Sequence, residues 1–333
     1  MKITLLLTQY YRPLSVAALL DFFESVNSFY LQERGKEFFH ITLASPEKGF
    51  VIENYSPLPL SVDTKPNLIL IPAFRSGNLP LYLKSNYMLI PWLNEQYQKK
   101  VEIASFCTGA YMLAASGLLN GKKATTHVNA TDEFKKQFPE VLLVKDEVVT
   151  DDNGIYTSGG ATSSFHLMLY LLEKYCGREM AIKASKFFAI EPDRKKQSHF
   201  ATFTPVRHND KVIAQAQDQM EKLYSEIGTL DGLIKELPVS KRNFIRRFKL
   251  ATGNTPLEYL QNIRVEASKS LLEDTGLSIA EVMYNVGYSD TKAFRKLFKR
   301  IVGLTPRDYR DKFVIKEGGR QERKGSLTPA VAL

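Results

Sequence analysis

Two segments in the last third of the chain share one pattern. Thr229–Gly253 and Leu277–Gly303 each contain a short apolar stretch, a turn, and a second stretch rich in phenylalanine and cations. The phenylalanines of each second stretch are paired four residues apart: Phe244 with Phe248, and Phe294 with Phe298. Residues four apart share a helix face, so each pair should be buried while the cations occupy the remaining face. The pattern predicts two helix-turn-helix units in tandem.

Turn and cap residues agree with that prediction. Gly287 stands in the turn of the second unit, where glycine can adopt the positive φ that a sharp turn between helices requires. Ser240 stands where an N-cap would begin the second helix of the first unit. Ser289 or Asp290 occupies the equivalent position in the second unit.

A connecting helix is predicted over Thr255–Glu273. Its apolar residues at near-helical spacing are Leu257, Leu260, Ile263, Ala267 and Leu271. A rigid connector fixes the distance between two recognition helices, and successive major grooves on one face of DNA are ~34 Å apart. One chain could therefore fill two grooves.

Five motifs occur in order through this region. They are S-x-R-x-F-x-R-x-F-K at Ser240–Lys249, TGNTPLEYL at Thr252–Leu260, VGYSD at Val286–Asp290, FRKLFK at Phe294–Lys299 and GLTPRDYR at Gly303–Arg310. With these motifs, the region from Thr229 to Arg310 resembles the DNA-binding domain of the AraC/XylS family of bacterial transcription regulators. The chain departs from the family at Ile234 and Met283, where alanine is usual, and at Pro238, where the turn usually has glycine.

The resemblance assigns positions that contact DNA. Arg or Lys reaching guanine is the commonest specific contact in the major groove. The positions that face bases in the family are occupied here by Arg242, Ile245, Arg246, Thr291, Lys292, Arg295 and Lys296. Lys241 lies on the same predicted face as these residues. Four further cations are predicted to contact phosphates or to be solvated: Arg247, Lys249, Lys299 and Arg300.

The positive charge of the chain is concentrated in the same region. Of the formal net charge of +9, residues 201–333 contribute +7, with 23 Lys and Arg against 16 Asp and Glu. Clustered positive charge is the electrostatic footprint of a protein that binds the phosphate backbone. Motifs and charge together predict promoter DNA as a partner.

A length of 333 residues favours two domains. The predicted organisation is an α/β domain over residues 1–190, a polar linker over 191–208, the helical domain over 209–315 and a disordered tail over 316–333. No apolar run approaches the length of a membrane span, and the start of the chain reads as a buried strand rather than a signal peptide. Two cysteines, Cys107 and Cys176, give no disulfide framework, which favours the cytoplasm.

The first part of the chain alternates strand-like and helix-like segments, which predicts an α/β layered domain with a largely parallel sheet. The predicted strands are Lys2–Thr8, Phe39–Ala44, Leu68–Pro72, Val101–Cys107, Lys123–Thr126, Leu142–Val144 and Ile155–Thr157. The predicted helices are Leu14–Glu33, Asn86–Lys100, Gly109–Ser116, Ala130–Phe138, Thr162–Tyr175 and Glu179–Phe187.

A cysteine stands at the corner between the fourth predicted strand and the following helix. A strained corner of this kind lifts a nucleophile above a sheet. The N-terminus of the helix would lower the pKa of the Cys107 thiol and offer backbone N–H groups to an anion. His127 follows the next predicted strand and could return to the thiol.

The same part of the chain resembles a second family. The segments Cys107–His127 and Tyr156–Gly177 are similar to the ThiJ/PfpI, class I glutamine-amidotransferase-like fold. More narrowly, they resemble the GlxA-type regulators, which join that fold to an AraC-type domain. The resemblance implies a flavodoxin-like parallel sheet with helices on both faces, followed by an all-α tandem helix-turn-helix domain.

Catalysis is not predicted. Active members of the wider superfamily use a Cys–His pair aided by an acid, but the connection Arg12–Ala17 has no carboxylate before Asp21. Thr108 stands where the family's proteases carry histidine, and Ala73–Arg75 stands where glycines would present an oxyanion hole. The sequence instead predicts a pocket that binds a small-molecule effector.

The effector pocket is expected at the C-terminal ends of the parallel strands. Its predicted lining is Ser15, Phe74, Arg75, Cys107, Thr108, His127, Ser158 and Gly159. No metal ion or cofactor is predicted, and the expected partners are promoter DNA, the effector, RNA polymerase and a second copy of the chain in a homodimer, with no membrane. Two alternatives remain: a Cys-dependent hydrolase or deglycase fused to a DNA-binding domain, and a scaffold used only for dimerisation.

Overall fold

The computed structural model describes residues 1–46, 52, 55–61, 64–160, 162–191, 196–235 and 239–314. The chain divides into two compact units, Met1–Phe203 and Thr204–Leu333. The division falls inside the stretch 191–208 that the sequence predicts as a linker, and residues 196–203 belong to the first unit. The predicted disordered tail, 316–333, and Pro238 lie outside the described residues.

The first unit is built on a seven-stranded sheet. The strands of the unit are β1 Lys2–Leu6, β2 His40–Ser45, β3 Leu58–Pro59, β4 Leu68–Ile71, β5 Glu102–Ser105, β6 Lys123–Ala124, β7 Leu142–Leu143, β8 Val149–Asp152 and β9 Ile155–Ser158. The sheet order is β3-β2-β1-β4-β5-β9-β8, and β6 pairs with β7 in a small separate sheet. All pairings in the large sheet are parallel except that of β8 with β9.

Helices cover both faces of this sheet. They are α1 Pro13–Arg34, α2 Leu79–Ser85, α3 Ile90–Gln98, α4 Ala110–Ala115, α5 Thr131–Gln137, α6 Ser163–Cys176 and α7 Arg178–Phe187. Alternate residues of β4 enter different hydrophobic clusters: Leu68 and Leu70 pack with α1, α6 and α7, whereas Ile69 and Ile71 pack with α2 to α5. A strand that is buried on both faces is a continuous apolar run in the sequence, which is why β4 could be predicted. The predicted flavodoxin-like fold is confirmed.

The described residues of the second unit form helices joined by turns and loops, with no strand among them. Its helices are α8 Lys211–Leu223, α9 Leu230–Lys235, α10 Lys241–Thr252, α11 Pro256–Asp274, α12 Ile279–Asn285, α13 Thr291–Val302 and α14 Pro306–Phe313. The four phenylalanines of the repeated pattern are fully buried: Phe244, Phe248, Phe294 and Phe298. Ile234 and Met283, which replace the family's alanines, are buried as well.

Caps fix where α10 and α13, the predicted recognition helices, begin. The Ser240 side chain accepts a hydrogen bond from Asn243 N at the start of α10. Of the two candidates for α13, Asp290 is the cap and accepts from the backbone N–H groups of Lys292 and Ala293 at 2.8 and 3.1 Å. A side-chain oxygen at this position satisfies N–H groups that have no partner within the helix.

The connecting helix α11 begins with a capping box in which Thr255 and Glu258 bond reciprocally. The predicted apolar stripe along it is wrong in part, because Leu257 is 52 % exposed. The buried side of α11 instead carries Tyr259, Val265 and Leu272.

Candidate functional sites

The predicted recognition helices α10 and α13 expose most of the residues that the sequence predicts to contact DNA. Seven of the eight predicted positions are exposed, and Thr291 is half-buried. The exposed ones are Lys241, Arg242, Ile245, Arg246, Lys292, Arg295 and Lys296. In both helices they lie outside the face that carries the buried phenylalanines.

Two of the cations predicted as phosphate contacts or solvated charges have partners within the protein. Arg247 forms a two-pronged ion pair with Asp210, with Nη2–Oδ1 and Nε–Oδ2 distances of 2.7 and 3.0 Å. The Arg247 guanidinium holds the pKa of the Asp210 carboxyl below its usual range. Arg300 donates to the Gln261 side chain at 3.0 Å. Arg247 therefore joins α10 to the start of α8.

The cysteine corner of the first unit has the strained geometry that the sequence predicts. Cys107 has a φ of +55°, in the left-handed region that residues with a Cβ rarely adopt. A Cβ on Gly109 would lie 2.7 Å from the Pro72 carbonyl oxygen, so only glycine lets the corner approach the end of β4. The backbone N–H of Cys107 donates to Ser158 Oγ at 3.3 Å, and the Thr126 hydroxyl donates to the Cys107 carbonyl at 3.0 Å.

The predicted lowering of the Cys107 pKa is wrong. Burial raises the pKa of the thiol to about 11, outweighing hydrogen bonding to Thr108 and the charge of Arg12. The side chain is only 2 % exposed, and a short 3-10 turn, Cys107–Gly109, separates it from α4. A thiol removed from water keeps its proton because the charged form loses its hydration.

His127 is half-buried near the corner. Burial first, and then the charge of Arg12, lowers its pKa below the ordinary value. Its Nδ1 accepts a hydrogen bond from Asn129 N at 3.2 Å and caps the short helical turn Val128–Ala130. The side of the ring lies beside Gly160, where an added Cβ would be 3.5 Å from His127 Cδ2.

Two predicted lining residues hold a neighbouring loop. The Ser15 hydroxyl accepts from Ala73 N at 3.0 Å. The Thr108 hydroxyl accepts from Phe74 N at 2.9 Å and donates to the Phe74 carbonyl at 3.2 Å. The backbone of residues 73 and 74 is thereby tied to α1 and to the cysteine corner.

Arg75 stands apart from the other predicted lining residues. It is exposed, and its Nε donates to the Tyr11 carbonyl at 3.3 Å. It borders an open cavity of about 370 Å³ whose other lining residues are Leu7, Thr8, Gln9, Tyr10, Tyr11, Ser45 and Pro46. The corner residues Cys107 and Ser158 are not among the lining of that cavity.

The sequence analysis missed two residues beside the corner. Arg12 is half-buried at the start of α1 and acts electrostatically on both Cys107 and His127. Gln197 is 1 % exposed, and its side chain fills the space next to Gly159 and Gly160. Its sequence context, Lys-Lys-Gln-Ser, is that of a polar linker, so no signal of burial precedes the structure.

We also searched the described residues for metal sites and for membrane-spanning helices. No group of three or more His, Cys, Asp or Glu among the described residues could hold a metal ion. None of the described helices is both long and apolar enough to cross a membrane.

Comparison with family models decides the membership of the first unit. The DJ-1/PfpI family model matches residues 2–174, which is more than half of the chain. The chain belongs to the DJ-1/PfpI family. A helix-turn-helix domain model matches residues 233–312 of the second unit.

Curated relatives match about two thirds of the chain. The HTH-type transcriptional regulator CdhR of Pseudomonas aeruginosa is 28 % identical over 220 residues, covering 66 % of this chain and 65 % of its own. GbdR of the same species is 29 % identical over 225 residues, covering 66 % and 60 %. GlxA of Rhizobium meliloti is 26 % identical over 210 residues, covering 62 % and 64 %. The chain thus spans less than two thirds of the length of these relatives. The predicted resemblance to GlxA-type regulators of the AraC family is confirmed.

Proposed function

We propose that the chain is a sequence-specific DNA-binding transcription regulator whose DJ-1/PfpI-type unit binds a small-molecule effector without catalysing a reaction. The observation that carries the proposal is the pair of helices α10 and α13. Each presents exposed cations on one side and anchors itself through two fully buried phenylalanines on the other. The curated relatives CdhR, GbdR and GlxA are each named as HTH-type transcriptional regulators, which supports the same function.

The residues proposed to read DNA are the eight exposed or half-buried positions of α10 and α13 given above. An α-helix fits the major groove of B-DNA, where arginine pairs with guanine and apolar groups contact the thymine methyl. Arg242, Arg246 and Arg295 are suited to the first contact, and Ile245, 38 % exposed on α10, to the second.

A cysteine hydrolase is the alternative that the corner chemistry disfavours. A nucleophilic thiol must ionise, and burial keeps Cys107 protonated near neutral pH. A general base must accept the proton, and the Nδ1 of His127 already accepts a backbone N–H. Among the described residues, no carboxylate forms a hydrogen bond with the side chain of Cys107 or His127.

The first unit is therefore proposed to bind rather than to transform its ligand. The proposed contacts are Cys107, Thr108, His127, Ser158 and Gly159 at the corner, with Ser15, Phe74 and Arg75 around the neighbouring loop. RNA polymerase and a second copy of the chain are the further partners that we propose for a regulator of this type.

The test is selection of DNA by the purified full-length chain. From a pool of random duplexes, the protein is expected to enrich one sequence with two contact blocks about one helical turn apart. A pool that stays random after repeated selection, although the protein retains DNA, would contradict sequence-specific reading. In parallel, small metabolites are screened by thermal shift. A metabolite that binds the first unit should raise its melting temperature, because a ligand that binds only the native state stabilises it.

A further inference from the structure

A short segment after α7 folds back onto the cysteine corner. We call residues 196–203 the return segment. Lys196 bridges to Glu147 in an antiparallel pair, and Gln197 N donates to the Asp146 carbonyl at 3.1 Å. The segment ends at Phe203, the last residue of the first unit, and Thr204 begins the unit that carries the recognition helices.

Gln197 is the buried residue that holds the return segment in place. Its Oε1 accepts from Gly160 N at 2.9 Å. Its Nε2 lies within donating distance of Thr125 Oγ1 and the Thr126 carbonyl, at 3.1 and 3.0 Å. The same Nε2 is 3.1 and 3.3 Å from the carbonyl oxygens of Lys145 and Glu147. One amide therefore satisfies backbone groups of three separate loops, which makes its removal costly.

The loops held by Gln197 are those that form the corner. A Cβ on Gly159 would lie 2.0 Å from Gln197 Oε1, so the glycine is what admits the side chain. Thr126, whose carbonyl accepts from Gln197, donates its hydroxyl to the Cys107 carbonyl. Ser158, which precedes the glycine, accepts the N–H of Cys107. Gln197 is thus linked to Cys107 by two routes, one through Thr126 and the other through Gly159 and Ser158.

Two further anchors fasten the return segment to the same region. Asp146 accepts from Ser198 N at 3.1 Å and pairs with Lys196 at 3.2 Å. Burial alone would raise the pKa of Asp146, but the hydrogen bonds from Ser198 and Lys196 lower it overall. Thr202 N donates to Asn129 Oδ1 at 2.9 Å, and the N–H of Asn129 donates to His127.

From these contacts we propose that the return segment is the output element of the first unit, with Gln197 as the residue that couples the corner to it. A ligand at the corner that displaces Ser158, Gly160 or His127 changes the acceptors and donors that hold residues 197 and 202. The next residues along the chain lead into the DNA-binding unit. This inference rests on the proposed function, and it names the residues that would transmit ligand binding at the corner to the DNA-binding unit.

The test uses the reciprocity of coupling: if the corner acts on the DNA-binding unit, DNA must act on the corner. The probe is the duplex that the wild-type chain selects from random DNA, and the readout is amide-resolved hydrogen exchange of the full-length protein. We expect DNA to change the exchange of Gln197 and of the corner amides Cys107 and Thr125 by about fivefold or more.

Variants show whether Gln197 is needed for the response of the corner amides to DNA. In Gln197→Ala the response of Cys107 and Thr125 to DNA should disappear while the affinity for the duplex persists. Gln98→Ala, the same truncation at an exposed position, should respond like the wild type. If Gln197→Ala does not fold, Gln197→Asn serves instead, because its shorter side chain cannot reach both Gly160 and Thr126.

The outcomes separate the two claims. Failure of the wild-type chain to select any duplex overturns the proposed function and this inference with it. Binding of the selected duplex without a change at residues 107, 125 and 197 overturns the inference alone. A corner response that survives in a folded Gln197 variant also overturns it.

Discussion

Arg246 on α10 and Arg295 on α13 are both exposed, each on a helix that a buried phenylalanine pair anchors. Arg246 is partly oriented by a hydrogen bond from Nη2 to Asn243 Oδ1 at 3.2 Å. Replacing either arginine by alanine should cost ~1–3 kcal/mol on the selected duplex and relax the preference at one base pair. Titration against the duplex and its single-base variants measures both effects.

Arg247 provides the matched control on the same helix. Because its guanidinium is engaged by Asp210, Arg247→Ala should leave the base preference unchanged and lower the stability of the second unit. If Arg246→Ala instead weakens binding equally to the selected duplex and to random DNA, Arg246 is a phosphate contact and the assignment is wrong.

At Cys107 the expected behaviour follows from the pKa of about 11 that burial imposes. Only the thiolate attacks an alkylating reagent, so iodoacetamide should modify Cys107 slowly at pH 7. The rate should rise about tenfold per pH unit between pH 7 and 9, because each unit below the pKa changes the thiolate fraction by that factor. Mass spectrometry of Cys176→Ser, which leaves Cys107 as the sole cysteine, follows the reaction.

The same residue separates binding from catalysis. Cys107→Ser keeps nearly the same volume, so fold and DNA binding should survive. Rapid alkylation of Cys107 in Cys176→Ser at neutral pH would contradict the protonated thiol. Turnover of an amide, ester or glycated substrate by the parent, lost in Cys107→Ser, would establish the hydrolase instead.

Among the elements, the turn between α12 and α13 is tightly constrained. Gly287 has a φ of +85°, and an added Cβ would lie 2.4 Å from the Ser225 carbonyl oxygen. Gly287→Ala should therefore destabilise the second unit by roughly 1–3 kcal/mol, from strain and displacement together. Gly276→Ala, where an added Cβ meets no atom within 4 Å and φ is not positive, is the control. Denaturant unfolding monitored in the second unit measures both, and equal stability of the two variants would contradict the constraint.

The elements also show what the sequence could and could not predict. Strands buried on both faces, such as Leu68–Ile71, are visible as apolar runs. The strand Val149–Asp152 is not predicted because its two aspartates give no apolar signal, and the helix Leu79–Ser85 is not predicted because seven residues are too few to show a clear helical period. These elements form through pairing and packing with distant parts of the chain, which local patterns do not record.

The same limit applies within the candidate sites. The phenylalanine spacing predicted which sides of α10 and α13 are buried, since that depends on helix periodicity alone. It could not predict the Arg247–Asp210 pair, because the two residues are 37 positions apart. The protonated state of Cys107 and the burial of Gln197 likewise depend on tertiary packing.

At the scale of the whole molecule, the proposed division of labour places ligand binding in the DJ-1/PfpI-type unit and DNA reading in the helix-turn-helix unit. The basic charge is unevenly divided, with +7 of the net +9 in residues 201–333. Charge of this kind supports binding to any DNA, whereas base contacts by α10 and α13 are needed to discriminate between sequences. Affinity alone therefore cannot distinguish a regulator from a basic protein.

The most direct measurement is the ratio of two dissociation constants of the full-length chain at one salt concentration. One is for the selected duplex, the other for a scrambled duplex of equal length and composition. We expect a ratio of about 10³ or more in favour of the selected duplex. The ratio should fall steeply when Arg246 and Arg295 are both replaced by alanine. Equal affinity of the wild-type chain for the two duplexes would contradict the claim that the chain reads DNA sequence.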